Sequence, residues 1–224
     1  MPSCRMNPSK KGFIVAESIL DMSCSDFASA LAAKRSVPGG GGAAAFCGAL
    51  AAALGSMVGN FTVGKKRYAA YEEDVQALIA AADDARGRLL ALADEDSRAF
   101  GPLARAFSLA ADDPRRPAAL EEGALEALQP PLAMMREIVA VIDILEEMNL
   151  KGSALLRSDV GCGAAFAEAA LLAASMNVYV NTGILADRAR AASVEAECEG
   201  LLAQRDRAMA LAQAVADDLR HGRG

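Results

Sequence analysis

Residues 38–64 read PGGGGAAAFCGALAAALGSMVGNFTVG, and this stretch decides the fold. It opens with four consecutive glycines, Gly39, Gly40, Gly41 and Gly42, and continues as an apolar run with no charged residue before Lys65. Glycine loses more conformational entropy on folding than any other residue, so we expect a turn with positive φ or a close approach of the backbone to another group. The Ala-rich run after it predicts a helix over about 43–60, whose free N–H groups form an anion-binding corner.

Small residues recur along this predicted helix. Gly48, Ala52 and Ser56 follow one another at intervals of four, which lets a second helix pack closely. The run is also long enough to span a bilayer. However, Ala and Gly have weak transfer free energies and Asn60 lies inside one end, so we favour a buried helix over a transmembrane one.

The rest of the chain also has helical periodicity. A second Ala-rich helix is predicted from Gly161 to about Tyr179, with Ser158 and Asp159 offering its N-cap. Amphipathic patterns predict further helices over about 26–35, 71–110 with a break at Gly101-Pro102, 114–129, 130–149 and 188–219. Since no strand pattern stands out, we predict an all-α, single-domain bundle of long antiparallel helices with the Ala/Gly-rich helices at its centre.

The N-terminal residues form a separate segment. Residues 1–21 begin polar and basic and make a poor signal peptide, because the apolar stretch after Gly12 is interrupted by Glu17 and Ser18. We expect residues 1–21 to be a disordered extension, or the product of a start codon placed too early. The helical domain is predicted to cover residues 22–220.

Composition excludes several classes of function. The 224 residues are 53% hydrophobic and carry a net charge of -6, so neither nucleic acid nor an anionic membrane is an expected partner. Five cysteines are scattered singly, which is typical of reduced thiols in a cytoplasmic protein. The single histidine, His221, lies in the C-terminal tail, so no metal site and no His-based triad is predicted.

Polar residues at the ends of the two Ala-rich helices are the candidate site, and each also has a purely structural interpretation. Asp159 could simply cap its helix, and Asn177 and Asn181 could make helix contacts. Lys65, Lys66 and Arg67 could be a solvated patch, the glycines a turn, and Asp96 an exposed acid. Only their combination is informative.

That combination resembles a known family. In sequence order the motifs are PGGGG (38–42), GKKRY (64–68), DSRAF (96–100), SDVG (158–161) and NVYVN (177–181). They are similar to those of the cyclodeaminase/cyclohydrolase family, which includes the C-terminal half of formiminotransferase-cyclodeaminases and stand-alone bacterial methenyltetrahydrofolate cyclohydrolases. The resemblance covers residues 22–219. It implies an all-α fold, a homodimer formed by helix packing, and an active site at the helical core and subunit interface.

Two reactions are implied by this resemblance. A cyclohydrolase adds water to the methenyl carbon of 5,10-methenyltetrahydrofolate and breaks the C–N5 bond, which gives 10-formyltetrahydrofolate. A cyclodeaminase closes 5-formiminotetrahydrofolate to the methenyl compound and releases ammonia. Both reactions need proton transfer to and from the reacting centre, and neither needs a cofactor beyond the tetrahydrofolate substrate.

The resemblance also suggests roles for the motif residues. Asp159 is the expected general base or acid, Lys65 its cationic partner, and Asp96 a second carboxyl that favours the cationic methenyl substrate. Substrate contacts are expected from the glycines Gly39–Gly42, from Ser158, from the Asn177 and Asn181 amides facing the pterin, and from Lys66 and Arg67 facing the glutamate tail.

The sequence favours the cyclohydrolase reaction, because the domain stands without a formiminotransferase domain and its VPGGGG and GKKRY segments look like those of the stand-alone members. Cyclodeaminase activity is the close alternative. From other classes, a helical membrane protein and a non-catalytic helical interaction module remain open.

Overall fold

The chain is built from helices joined by short connections. The computed structural model describes residues 18–222, and within this range all regular structure is helical. The α-helices are α1 (Cys24–Ala32), α2 (Gly40–Asn60), α3 (Glu72–Phe107), α4 (Arg116–Ala127), α5 (Gln129–Lys151), α6 (Arg157–Thr182), α7 (Arg188–Leu202) and α8 (Arg205–Arg220). Short 3₁₀ helices precede α1, α3 and α6, at Ile19–Asp21, Lys66–Tyr71 and Ala154–Leu156. The predicted all-α bundle is confirmed.

Helix α2 lies at the centre and packs on α3, α5 and α6. It runs antiparallel to α6, because Cys47 Sγ contacts Phe166 O at 3.4 Å while Gly40 lies beside Asn177. Its small residues make these approaches possible: a Cβ at Gly48 would lie 3.0 Å from Ile138 Cγ1 of α5. The start of each central helix therefore lies near the end of the other.

The core is completed by α5, a helix that is not Ala-rich. Its large apolar side chains are fully buried in one core cluster with residues of both central helices; they include Met134, Met135, Ile138, Ile142 and Leu145. Burial of one such side chain contributes roughly 1.5–3 kcal/mol. Small residues let α2 and α6 pack directly against each other, while α5 packs on both with large side chains.

Two helical stretches, Gly40–Asn60 and Ala154–Thr182, are long and apolar enough to cross a membrane on length and composition alone. Most of the first lies inside the fold, packed on three neighbouring helices. A core helix satisfies the same criteria, so this placement favours the prediction of a buried helix.

The glycine stretch differs from the predicted turn. Helix α2 begins at Gly40, so three of the four glycines form its first turn and Gly39 is the N-cap. None of the four has positive φ, since within residues 18–222 only Gly64 and Gly222 do. Of the two predicted reasons for the glycines, positive φ is wrong and close approach is the physical cause.

Helix α3 continues through the predicted break at Gly101-Pro102. Pro102 removes one backbone hydrogen bond, but the next residue holds the helix against α4. Leu103 is buried, and a Cβ at Gly123 of α4 would lie 2.8 Å from the Leu103 Cα and N atoms. Backbone-to-backbone packing between the two helices thus offsets the missing hydrogen bond.

Three helix ends also differ from the predictions. Helix α6 begins at Arg157, so Ser158 and Asp159 lie in its first turn and do not cap it. Helix α1 begins at Cys24, before the predicted start at about residue 26, and Ser23 caps it by accepting a hydrogen bond from Asp26 N at 3.2 Å. The predicted last helix is two helices, α7 and α8, separated by the turn at residues 203–204.

The described structure begins before the expected boundary at Met22. Ile19 N donates to Asp94 Oδ1 of α3 at 2.9 Å, and Ser18 Oγ bonds the other carboxylate oxygen. Residues 18–21 are therefore ordered against α3, contrary to the predicted extension. Residues 1–17 of that extension lie outside the described range.

Candidate functional site

The candidate residues fall into two groups at opposite ends of α2 and α6. The glycine end contains Gly39–Gly42, Asp96 and Asn177. The lysine end contains residues 62–68, Ser153 and the first turn of α6. Because α2 has 21 residues and rises about 1.5 Å per residue, roughly 30 Å separates the two ends. The structure therefore brings together each group, but not Asp96 with Lys65 or Asp159 of the same chain.

Asp96 lies directly against the first turn of α2. A Cβ added at Gly41 would be 2.5 Å from Asp96 Oδ2 and 2.6 Å from Cγ, so only glycine admits the carboxyl at this depth. The Gly42 N–H lies near this carboxyl and stabilises its charged form. The anion-binding corner at the start of α2 is thus occupied by a carboxylate of the protein itself.

Burial raises the pKa of Asp96 to about 6, although the Gly42 N–H acts in the opposite direction. Desolvation disfavours the charged form of a carboxyl, and it outweighs one backbone N–H here. Asp96 consequently changes charge close to neutral pH, in the range useful for general acid–base chemistry.

Asn177 faces the glycine end. A Cβ at Gly40 would lie 3.7 Å from its Nδ2 and 3.8 Å from its Oδ1. Nδ2 donates to Ala173 O at 2.9 Å, while Oδ1 accepts no hydrogen bond from residues 18–222. Asn177 therefore offers a free acceptor next to Gly40.

Asn181 has a different environment, although it was predicted to share a face with Asn177. It is 8% exposed, and its Nδ2 donates to Ala127 O at 3.1 Å. This bond fastens α6 to the carbonyl at the end of α4. The donor that was expected to contact substrate is occupied within the protein, so we assign Asn181 to packing.

An apolar cavity of about 260 Å³ adjoins the glycine end. A Cβ at Gly42 would lie 3.7 Å from Ile19 Cδ1, which lines this cavity. Its other lining residues are apolar or sulfur-containing and come from four elements: Leu20, Met22, Cys24, Phe27, Phe46, Leu90 and Ala93. The cavity offers an apolar surface close to Asp96.

The lysine end is ordered by hydrogen bonds that start from α2. Thr62 Oγ1 donates to Val58 O at 2.7 Å and accepts Ser153 N at 2.8 Å. Lys65 Nζ donates to Ser153 Oγ at 3.2 Å, and Ala154 N donates to the Tyr68 hydroxyl at 3.0 Å. The loop after α2 is thereby joined to the segment that precedes α6.

The remaining candidates at this end differ in exposure. Asp159 is half-buried in the first turn of α6, whereas Ser158, Lys66 and Arg67 are exposed. The Arg67 guanidinium lies 5.8 Å from the centre of the Tyr68 ring. Within residues 18–222 the basic side chains at 65–67 form no ion pair, so their positive charge is uncompensated by a salt bridge.

Within residues 18–222, no three His, Cys, Asp or Glu side chains are arranged to hold a metal ion. The chemistry of the two ends is that of carboxylate, amine, phenol and hydroxyl groups.

Comparisons with known proteins identify the family. Residues 23–200 match the family model of formiminotransferase-cyclodeaminase. The chain belongs to this family. The resemblance inferred from the motifs is therefore confirmed.

Two sequence relatives represent the cyclohydrolase and cyclodeaminase members of the formiminotransferase-cyclodeaminase family. The methenyltetrahydrofolate cyclohydrolase of Methylorubrum extorquens is 39% identical over 182 residues, which cover 80% of this chain and 88% of that protein. The formimidoyltransferase-cyclodeaminase of Sus scrofa is 33% identical over 190 residues, but the chain spans only 35% of its length.

A solved structure of the same family has the same fold. The formiminotetrahydrofolate cyclodeaminase of Thermotoga maritima superimposes with a TM-score of 0.75 and 26% identity, covering 88% of this chain and 99% of that one.

Two residues of the lysine end, Tyr68 and Ser153, were given no role by the sequence analysis. Tyr68 was quoted as part of GKKRY but given no role, and Ser153 lies in a short connection without a motif. A tyrosine directly after three basic residues was the available signal for Tyr68. Ser153 could not be found from sequence, because its contact with Lys65 joins residues 88 positions apart.

Proposed function

We propose that this protein is a methenyltetrahydrofolate cyclohydrolase that converts 5,10-methenyltetrahydrofolate and water to 10-formyltetrahydrofolate. The observation that carries the proposal is the likeness to the cyclohydrolase of Methylorubrum extorquens, which extends over 88% of that protein. The likeness to the Thermotoga maritima cyclodeaminase supports formiminotetrahydrofolate cyclodeamination as the second candidate.

The two ends have complementary chemistry for this reaction. Asp96 supplies a desolvated carboxylate that favours the cationic methenyl carbon, and the adjacent cavity accepts an apolar ring. The lysine end supplies Lys65 and Asp159 for proton transfer. Lys66 and Arg67, exposed and cationic, attract the glutamate tail of the substrate.

Because the two ends of one chain lie about 30 Å apart, we propose that a homodimer completes the site. Each central helix has a stripe of apolar side chains that recur every three or four residues. All of these side chains are partly or fully exposed. On α2 and its C-cap the stripe is Ala43, Cys47, Leu50, Leu54, Met57 and Phe61, and on α6 it is Cys162, Ala165, Ala169, Leu172, Met176 and Val180. Phe61 and Met176 are each 56% exposed and Val180 68%. Such a contiguous apolar surface is typical of a protein interface.

A two-fold axis through this stripe explains how the ends meet. Leu50 lies at the midpoint of α2, and a two-fold axis that passes there perpendicular to the helix sets α2 antiparallel to its copy. The glycine end of one protomer then lies beside the lysine end of its partner, and each dimer holds two composite sites.

The proposed site contains the substrate contacts expected from the motifs, with one change. Among the glycines 39–42, Gly41 admits the Asp96 carboxyl, Asn177 beside Gly40 offers its free Oδ1, and Ser158 is exposed at the start of α6. Asn181 is omitted because it bonds Ala127. We propose that the reaction needs no cofactor, since addition of water and cleavage of a C–N bond balance without one. We also propose a cytoplasmic location, which the scattered cysteines support.

The test follows the absorbance of the methenyl chromophore. Loss of 5,10-methenyltetrahydrofolate faster than in buffer establishes the cyclohydrolase. Appearance of the chromophore from 5-formiminotetrahydrofolate, with ammonia released, establishes the cyclodeaminase. Activity in neither assay from folded protein rules out both reactions and leaves the non-catalytic interaction module.

A further inference from the structure

Tyr68 has an environment suited to a phenolate. Its hydroxyl oxygen accepts a hydrogen bond from the Ala154 N–H at 3.0 Å, and the Ser153 hydroxyl nearby lowers the pKa of Tyr68 further. The Ser153 oxygen in turn accepts a hydrogen bond from the Lys65 ammonium at 3.2 Å. The Tyr68 oxygen therefore has a backbone N–H donor, and the hydroxyl of the residue before that donor is polarised by a cation.

The donors are held by buried structure. Ser153 is 3% exposed, and its backbone N–H is fixed by Thr62 Oγ1, which is itself buried and bonded to Val58 O. Ala154 starts the 3₁₀ helix that leads into α6. The Ser153 hydroxyl and Ala154 N–H are thus preorganised, whereas the Tyr68 ring is only half-buried and accessible to a ligand.

The charges near Tyr68 act in the same direction. The Ala154 N–H lowers the pKa of Tyr68 most, and Ser153, Arg67 and Lys65 lower it further against the effect of burial. Arg67 and Lys65 come from the same loop as Tyr68. The nearby Glu72 carboxylate accepts a hydrogen bond from Gly64 N at 3.1 Å.

We propose that Tyr68 is the catalytic acid–base residue of the lysine end, with Ser153 and Lys65 positioning and stabilising its phenolate. This proposal rests on the proposed cyclohydrolase function and replaces direct proton transfer by Lys65. The arrangement differs from the one expected from sequence, in which Asp159 was the general base or acid and Lys65 its cationic partner.

The proton balance of the step is complete. The Tyr68 phenolate takes a proton from water as the water oxygen bonds the methenyl carbon, and the iminium electron pair moves to nitrogen. The C–N5 bond then breaks, N5 keeps the bonding pair, and the Tyr68 hydroxyl returns its proton to N5. The remaining hydroxyl proton leaves to solvent as the formyl C=O forms. One proton is released overall and Tyr68 is again a phenolate.

The experiment compares Tyr68→Phe with Tyr71→Phe, a matched control in the same 3₁₀ helix whose side chain is exposed. We expect Tyr68→Phe to lower kcat about 10²- to 10⁴-fold with a smaller effect on KM, and Tyr71→Phe to leave both near wild type. Circular dichroism checks that both variants fold.

A second measurement needs no substrate. The chain has three tyrosines and no tryptophan, so the absorbance of tyrosinate can be titrated directly. Burial raises the pKa of Tyr179 to about 12, so Tyr179 ionises at higher pH than Tyr68 in this titration. We expect the tyrosinate ionisation at the lowest pH to disappear in Tyr68→Phe and to move to higher pH in Ser153→Ala. The rising limb of the pH–kcat profile of Ser153→Ala should move to higher pH with it.

The outcomes separate the two proposals. Wild-type activity with full kcat in Tyr68→Phe overturns the role of Tyr68 and leaves the cyclohydrolase function intact. The same follows if kcat falls but the lowest tyrosinate step is unchanged in Tyr68→Phe. An inactive wild type on both folate substrates overturns the proposed function and the Tyr68 step together.

Discussion

The Asp96 carboxyl lies in the space that a side chain at Gly41 would occupy. A Cβ there would be 2.5 Å from Asp96 Oδ2, closer than real Cβ contacts come. A glycine in the first turn of α2 and a carboxyl on α3 are therefore two parts of one feature. The glycine stretch is needed for this approach, which carries Asp96 into a desolvated position beside the Gly42 N–H.

This relationship predicts a contrast between neighbouring glycines. Gly41→Ala must push Asp96 away from α2, so we expect kcat/KM for methenyltetrahydrofolate to fall at least about 10-fold and the pKa of Asp96 to return toward its ordinary value. Gly40→Ala is the matched control, because its Cβ would meet Asn177 only at ordinary van der Waals distances of 3.7–3.8 Å. Equal activities of the two variants would contradict a need for Asp96 at this depth.

The raised pKa of Asp96 predicts a pH-dependent effect on stability. Its folded pKa of about 6 lies above the unfolded value, so protonation favours folding, and this contribution is complete below about pH 4 and lost as pH rises through 6. Asp96→Asn should therefore raise the free energy of unfolding by about 1–3 kcal/mol at pH 8 and by little at pH 4.

Urea titrations at both pH values measure this effect of Asp96→Asn. Asp84→Asn on the same helix is the control, since Asp84 is exposed and forms no ion pair within the described chain. A destabilising effect of Asp96→Asn at pH 8 would show that the carboxylate is not penalised by burial.

The sequence predicted the elements better than their ends and contacts. Ala content and the long apolar runs were enough to predict the two central helices, because such runs favour helices that pack closely against others. The start of α2 at Gly40 was missed, since glycine has low intrinsic helix propensity and only the tertiary contact with Asp96 explains its place there. Pro102 was taken as a break for the same reason, and packing of Leu103 on α4 overrides it.

The candidate site was predicted as a set of residues and not as a geometry. Motif order placed Asp96, Lys65 and Asp159 in one list, but the antiparallel packing of α2 and α6 places Asp96 at the opposite end from the other two. No local pattern reports which helix ends meet, because that depends on long-range packing. The bond from Asn181 to Ala127 was hidden for the same reason.

The assignment of Asn181 to packing can be tested against Asn177. Asn181→Ala leaves the Ala127 carbonyl without its partner in a buried place, so we expect a loss of about 1–3 kcal/mol in unfolding free energy and little change in KM. Asn177→Ala should have the reverse profile, with a raised KM and a smaller stability effect, because its Oδ1 is free. Thermal unfolding and steady-state kinetics of both variants decide the matter. A raised KM with unchanged stability in Asn181→Ala would return it to the substrate site.

The proposed composite site predicts complementation between two inactive variants. Asp96→Asn inactivates the glycine end of its protomer, and Lys65→Ala inactivates the lysine end of the other. In a mixed dimer, one composite site therefore contains both substitutions and the other contains neither. Co-expressed at equal levels, they should recover about a quarter of the wild-type rate, since half of the dimers are mixed and each has one working site. Co-expression of Asp96→Asn with a differently tagged copy of itself is the control. If each site belonged to a single protomer, no mixed dimer would contain an intact site, and the rate would stay at that of the parents.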